Sequence, residues 1–433
     1  MPDRRVEDGV RTRKGIHVLS VVLQAVAVAF LCGGVLIAAG CDSPAATTTT
    51  AEASTTATAS TTTEQSTITT EAARLYPVSV DGTWGFIDKT GTIKIQPQFV
   101  KVRDFCEGLA AVEVATNDGT KSGYIDTSGT MVIEPRFDLA YDFSEGLAVV
   151  GNKTGLDGEL SGEFGYINKT GELVIPIKHN TASQFSQGLA SFTLTEEGYP
   201  TYFMDMTGAT VLGPFYFVLD FSEGLAYVEA DGKCGYIDKT GRRVIDLPKN
   251  LARSSHASSC FSDGLAAVQS SDEEGVPHDG FVNASGVVVI APTFNGASDF
   301  SEGLAAACVA TNGVWKWGYI DKTGAWVIKQ QFDMAYDFSE GLAAVMYVEN
   351  DVVSYGYIDT AGTMVIPPQQ CAGAGPFVDG VAALTGLGTA DDKTPSYIDR
   401  TGTVIWRGPW AGAPRLPTSV NEAGRAVTLG GRT

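Results

Sequence analysis

Residues 319–328 read Tyr-Ile-Asp-Lys-Thr-Gly-Ala-Trp-Val-Ile, two apolar, β-prone runs on either side of a polar tetrad. Asp suits the first position of a type I turn, because its carboxylate accepts backbone N–H groups. Gly supplies the positive φ that follows in a bulged hairpin. The pattern therefore predicts two antiparallel strands with Asp-Lys-Thr-Gly at their tip. Where such a strand continues as Val-Ile-x-Pro-x-Phe (residues 132–137), proline ends it, since proline donates nothing to a ladder. Phe-Ser-Glu-Gly then turns the chain, as at residues 338–341, and Leu-Ala-Ala-Val begins a third strand.

Both patterns recur. The turn appears as FCEGLA from Phe105, FSEGLA from Phe143, FSQGLA from Phe185, FSEGLA from Phe221, FSDGLA from Phe261, FSEGLA from Phe300 and Phe338, and FVDGVA from Phe377. The hairpin appears from Trp84, Gly123, Phe164, Tyr202, Gly235, Gly280, Trp317, Tyr355 and Ser396. Successive copies lie 33 to 45 residues apart, a spacing that identifies a repeat architecture. A unit of that size cannot bury enough surface to fold alone, so neighbouring units must share a core. The Phe before Ser-Glu-Gly reads as a core plug, and the small residue after Leu as a point of close backbone approach. Length varies mainly after the third strand, as in residues 194–201 and 270–279, which places exposed loops there.

The alternation of W-G-[YF]-I-D-x-T-G-x-x-V-I with F-x-E-G-L-A-x-V resembles the WG (KWG) repeat found in many bacterial proteins, over residues 76–405. The resemblance implies repetitive β structure and carries no catalytic motif. Trp fills its own slot only at Trp84 and Trp317, and Tyr202 replaces the Gly of the fourth copy. The hairpins also resemble cell-wall-binding repeats, which stack into an open superhelix. Three strands per unit are evident, with F-D-x-A-x-D-F as a fourth candidate. A propeller blade needs four strands. The expectation is an all-β chain of three-stranded repeats stacked into an open, solenoid-like array with the ninth hairpin as a cap; the alternative is a closed propeller.

Upstream, Arg4, Arg5, Arg11, Arg13 and Lys14 precede an apolar run that ends at Cys41, the pattern of a secretory signal. The ending IAAGC resembles the lipobox of bacterial lipoproteins, which implies acylation of Cys41, a lipid anchor in the cell membrane and an extracytoplasmic location. Ala38 stands where that family usually has a branched residue, and an uncleaved membrane anchor is the other reading. Residues 42–75 are almost wholly Thr, Ser, Ala and a few Glu, too little apolar surface to offset chain entropy, and read as a disordered linker. Residues 406–433 read as a Gly- and Pro-rich tail.

A net charge of −20 argues against nucleic acid as a partner. The tip carboxylates (Asp88, Asp126, Asp205, Asp238, Asp321, Asp359, Asp399) recur once per unit, and Asn168 and Asn283 substitute for them. They read as turn caps, because a metal site needs several oxygens converging on one ion and acid–base work needs a unique pair. His179, His256 and His278 fall in different phases of the repeat, and no hydrolase or phosphate-loop motif is present. The expectation is a binding module without cofactor, metal or catalysis, whose partner is a protein or a cell-wall glycan; a spacer without ligand is the alternative. Trp315, Trp317 and Trp326 crowd one hairpin and are the candidate contact aromatics, with cross-strand packing as the competing role.

Overall fold

The computed structural model describes residues 74–153, 162–194, 200–387 and 394–408. The apolar leader, Cys41, nearly all of the 42–75 linker and the tail beyond residue 408 lie outside the described residues. Among the described residues, no helix is long and apolar enough to cross a membrane.

Every hairpin is where the pattern put it, but each belongs to a larger sheet. Residues 296–332 illustrate the unit. A two-residue strand, Gly296–Ala297, is followed by Leu304–Thr311, Val314–Asp321 and Trp326–Phe332, hydrogen-bonded in chain order as an antiparallel meander. Eight sheets have this form, spanning residues 101–137, 139–179, 181–215, 217–246, 252–294, 296–332, 334–370 and 373–406. The sheet before them, residues 76–99, has three strands. These are blades one to nine.

The blades close into a ring, so the architecture is a nine-bladed β-propeller and not the open array expected above. The closing contact joins blade nine to blade one. Tyr397 Oη donates to the Pro77 carbonyl at 2.8 Å, and Tyr76 Oη donates to the Val378 carbonyl at 3.1 Å. Tyr76, Val78, Ile87, Val381, Ala383 and Tyr397 form one buried cluster across that junction. The ninth hairpin is therefore the outer half of its own blade and caps nothing. The fourth strand explains the miss. In most blades it is a two-residue strand, such as Lys101–Val102 or Met334–Ala335, too short to leave a periodic signal.

These short strands face the axis. Only near the axis are neighbouring blades close enough for direct contact between equivalent segments, and that contact occurs here. Arg103 Nη1 reaches Asp142 Oδ2 at 3.3 Å, and Gln184 Nε2 donates to the Asp142 carbonyl at 3.0 Å. The outer strands carry the exposed Val132, Val174, Val211, Val244, Val327 and Val365. Pro97, Pro135, Pro176, Pro214, Pro292 and Pro368 interrupt the donors of those outer strands, which blunts them as templates for edge pairing.

Packing is between blades. Each plug Phe inserts against the aromatic ring of the strand that leads into the preceding blade's tip: Phe105 on Phe86, Phe143 on Tyr124, Phe185 on Tyr166, Phe221 on Phe203, Phe261 on Tyr236, Phe300 on Phe281, Phe338 on Tyr319 and Phe377 on Tyr357. Centroid separations are 4.8 to 5.0 Å. Burying one such ring is worth about 1.5–3 kcal/mol. The Gly of W-G-Y has a steric cause: a Cβ at Gly280 would stand 2.5 Å from the Ile290 carbonyl oxygen, where the outer strand bulges. Blade four breaks the rule with Tyr202 and compensates with Gly213, whose own Cβ would meet the Tyr202 ring at 2.7 Å.

Candidate functional site

Because the strands alternate in direction, the Phe-Ser-Glu-Gly turns and the Asp-x-Thr-Gly tips emerge together on one face. Ion pairs confirm the neighbourhood: Lys169 of a tip reaches Glu107 Oε2 at 3.0 Å, and Arg400 of another reaches Glu340 Oε2 at 3.4 Å. The hairpins between second and third strands, with the links between blades, emerge on the opposite face.

On the turn face the recurrent carboxylates are spent on structure. At the tips, Asp321 Oδ1 accepts the Thr323 N–H at 2.8 Å, the Thr323 hydroxyl at 2.6 Å and the Ala325 N–H at 3.1 Å. Those bonds hold the Asp321 carboxyl below its ordinary range, the Thr323 hydroxyl contributing most. At Asp238 the corresponding bonds, led by that from Thr240, bring the pKa down to about 2. The Glu of Phe-Ser-Glu-Gly adopts φ near +54° at Glu145 and Glu302, the backbone of a type I′ turn with the Gly that follows. Its carboxylate then clasps the next blade: Glu145 accepts the Gly188 N–H at 2.7 Å, and Glu302 the Gly341 N–H at 2.9 Å. The Ser hydroxyl reaches the same way, Ser301 to the Phe338 carbonyl at 2.8 Å and Ser339 to the Phe377 carbonyl at 2.7 Å. Sequence reasoning identified the tip caps and missed these clasps, because their partners lie one whole repeat away.

The residue before the plug gives the axis its charge. Asp104, Asp142, Asp220, Asp299 and Asp337 occupy that slot. Asp220 and Asp337 are open to water, yet desolvation raises their pKa, that of Asp337 to about 6. Ser298 hydrogen-bonds Asp337 and partly offsets the shift.

The loop face is different. Three residues before the Trp slot, blades six, seven and eight carry Val276, Val314 and Val352, whereas blades one, two and five carry Asp81, Gly119 and Asp231. The three valines are 43%, 56% and 44% exposed, and Trp315 beside Val314 is 47% exposed. Asp272, Glu273 and Glu274 flank Val276, and Glu349 and Asp351 flank Val352. An apolar row with an acidic border thus runs across three successive hairpins. The signal was present in the sequence as one slot filled by Val three times, but loops of unequal length concealed the alignment.

The three candidate tryptophans part company. Trp315 stays on the loop face. Trp317, half-buried, packs with Tyr319, Phe332 and Phe338 at the seam of blades seven and eight. Trp326 packs at the other seam, edge-on to Phe294 at 5.6 Å. In blade six the Trp slot holds Asp279, fully buried. It accepts the Ala297 N–H at 3.0 Å and pairs with His256 Nδ1 at 2.8 Å. That bond raises the His256 pKa above its ordinary value against the pull of burial. The pair pins the extra residues of blade six to the sheet. Cys234, Cys260, Cys308 and Cys371 are free thiols, and among the described residues no cluster of His, Cys, Asp and Glu could hold a metal ion.

Fold and surface together define a closed propeller with one uniform face and one variable face. Six segments match the family model described as WG containing repeat, at residues 84–115, 123–153, 164–194, 280–315, 317–347 and 355–384. Each match starts in the strand that leads into a blade's tip and runs into the next blade, so the sequence unit straddles a seam. Those six segments are thus WG-containing repeats. Comparison with curated proteins returns no match. Among solved structures, a crystal structure described as that of the eukaryotic initiation factor is similar at 12% identity, over 77% of this chain and 95% of that one, with a TM-score of 0.53. That likeness concerns the fold alone. An acylaminoacyl peptidase of Pyrococcus horikoshii is similar at 12% identity, over 66% of this chain and 57% of that one, with a TM-score of 0.32.

Proposed function

We propose that this chain is a binding module that engages a protein partner through the loop face of blades six to eight, and that it works by association and not by catalysis. The observation that carries this reading is the row Val276, Val314, Val352 and Trp315, exposed in three neighbouring hairpins of one rigid ring. Apolar side chains exposed on neighbouring loops mark contact surfaces, and Trp is a residue that often supplies an anchor. The acidic border selects a partner whose apolar contact is framed by Lys or Arg.

The basic and apolar leader supports placing the module outside the cytoplasm, held through acylated Cys41 with residues 42–75 as a flexible tether. Labelling with a fatty acid tests this: the label is retained by the natural chain and lost in Cys41→Ala. Binding is tested by immobilising the full chain and passing over it the protein fraction and the purified glycan of a bacterial envelope. Retention of one protein, abolished in Trp315→Ala and weakened by salt, supports the reading. Retention of glycan instead assigns the surface to a cell-wall polymer, and retention of nothing makes the chain a spacer.

A further inference from the structure

The sequence contains two Asn-Gly dipeptides, Asn295-Gly296 and Asn312-Gly313, and both stand at blade seven. In such a pair the side-chain amide and the next backbone nitrogen can approach each other, because Gly has no Cβ to hinder them. Whether they react depends on the fold, which treats the two pairs in opposite ways.

Asn295 is locked. Its N–H donates to the Cys308 carbonyl at 2.9 Å, and its Oδ1 accepts the Ala310 N–H at 2.8 Å. Gly296 is buried in the inner strand opposite Cys308. A Cβ at Gly296 would stand 3.1 Å from Cys308 Sγ and 3.2 Å from the Trp317 ring, so the backbone there has no room to turn. Asn312 and Gly313 instead make the two-residue turn between Leu304–Thr311 and Val314–Asp321, closed by the pair Thr311–Val314. Both have positive φ, 53° and 75°, as a type I′ turn requires. Both are exposed, a Cβ at Gly313 would meet nothing within 4 Å, and no described residue hydrogen-bonds the Asn312 side chain. A hairpin tip of this kind opens at little cost, whereas a buried inner strand opens only with its blade.

We propose that Asn312 is a site of spontaneous deamidation on the loop face, and that the fold protects Asn295 from the same reaction. The Gly313 nitrogen attacks Asn312 Cγ. The new N–Cγ bond forms, the Cγ–Nδ2 bond breaks, and ammonia leaves with the proton of the Gly313 amide. Water then opens the cyclic imide at either carbonyl, giving Asp or iso-aspartate and one added negative charge. The Asp product reproduces the turns of blades one and five, Asp81-Gly82 and Asp231-Gly232, which have the same pair of positive φ values. Iso-aspartate adds a backbone carbon between Thr311 and Val314 and so disturbs their pairing. Either product sets a charge beside Val314 and Trp315, in the middle of the apolar row. The site rests on the turn geometry and stands whether or not that row binds a partner.

The test incubates the full chain at mildly alkaline pH in water enriched in heavy oxygen and maps its fragments by mass spectrometry. The fragment holding Asn312 is expected to take up heavy oxygen, as Asp and iso-aspartate, more than about tenfold faster than the fragment holding Asn295. In denaturant the two sites should react at comparable rates, because the difference belongs to the fold. Asn312→Gln is expected to remove the early acidic form of the folded chain. If Asn312 stays intact in the folded chain while reacting in denaturant, the turn holds the two groups apart and the proposal falls. Equal rates at both sites in the folded chain, or an acidic form that persists in Asn312→Gln, overturn it as well.

Discussion

The two faces of this ring are made from the same repeat and have opposite economies. On the turn face nearly every polar group is committed: tip carboxylates cap their own hairpins, and Glu145, Glu302, Ser301 and Ser339 clasp the neighbouring blade. On the loop face the equivalent positions differ from blade to blade, Asp81 and Asp231 on one side of the ring against Val276, Val314 and Val352 on the other. A position that must satisfy a neighbour is fixed by that neighbour. A position that faces only water is free to take up a partner. Regularity therefore marks architecture here, and departure from it marks the candidate surface.

The contrast is broken most severely at a plug. Phe338 is buried against Tyr319, and Phe338→Ala is expected to cost about 3–5 kcal/mol by chemical denaturation, since both sides of a seam lose contacts. A loss below about 1 kcal/mol would mean that the seams do not carry the fold. One step smaller is the clasp: Ser339→Ala leaves the buried carbonyl of Phe377 without its donor and is expected to cost about 1 kcal/mol. Gly280→Ala tests the bulge by the same measurement, and its expected loss exceeds the roughly 1 kcal/mol of helix-type glycine effects because the added Cβ meets backbone that cannot yield.

How much of this was legible in the sequence follows from the range of each interaction. The tip Asp321 bonds residues two and four positions away, so its role could be read from Asp-x-Thr-Gly alone. The plug Phe could be named as core because it recurs, but not its target, which lies in the preceding blade. Ring closure was invisible for a sharper reason. It depends on Tyr397 meeting Pro77, 320 positions apart, and on inner strands of two residues that leave no periodic trace. The Trp cluster shows the limit in the other direction: Trp317 and Trp326 are close in sequence, yet the register shift between the pairs Tyr319–Ile328 and Ile320–Trp326 leaves them at opposite seams of one sheet.

Acidity separates the turn tips from the axis. The tip carboxyls of Asp126, Asp205, Asp238, Asp321 and Asp399 are held below their ordinary 3.8, Asp238 at about 2, so their contribution is present above about pH 4 and is lost as pH falls through the lowered values. Asp337 is raised to about 6, so its contribution is full below pH 3.8 and is lost as pH rises through 6. Asp337→Asn is expected to flatten the Tm profile between pH 4 and 6 while leaving the fall below pH 4 intact. An unchanged profile in that window would mean that the surrounding protein does not desolvate Asp337.

The smallest effect on stability should come from the residue most important for binding. Trp315 is 47% exposed and lies outside the buried clusters of the seams, so Trp315→Ala is expected to shift stability by no more than about 0.5 kcal/mol. Trp317→Ala, which removes a half-buried ring from the seam of blades seven and eight, should cost several times more in the same denaturation experiment. Partner retention should show the reverse order, with Trp315→Ala losing more than tenfold in affinity. If both substitutions destabilise equally, Trp315 belongs to the fold, and the loop face loses its anchor.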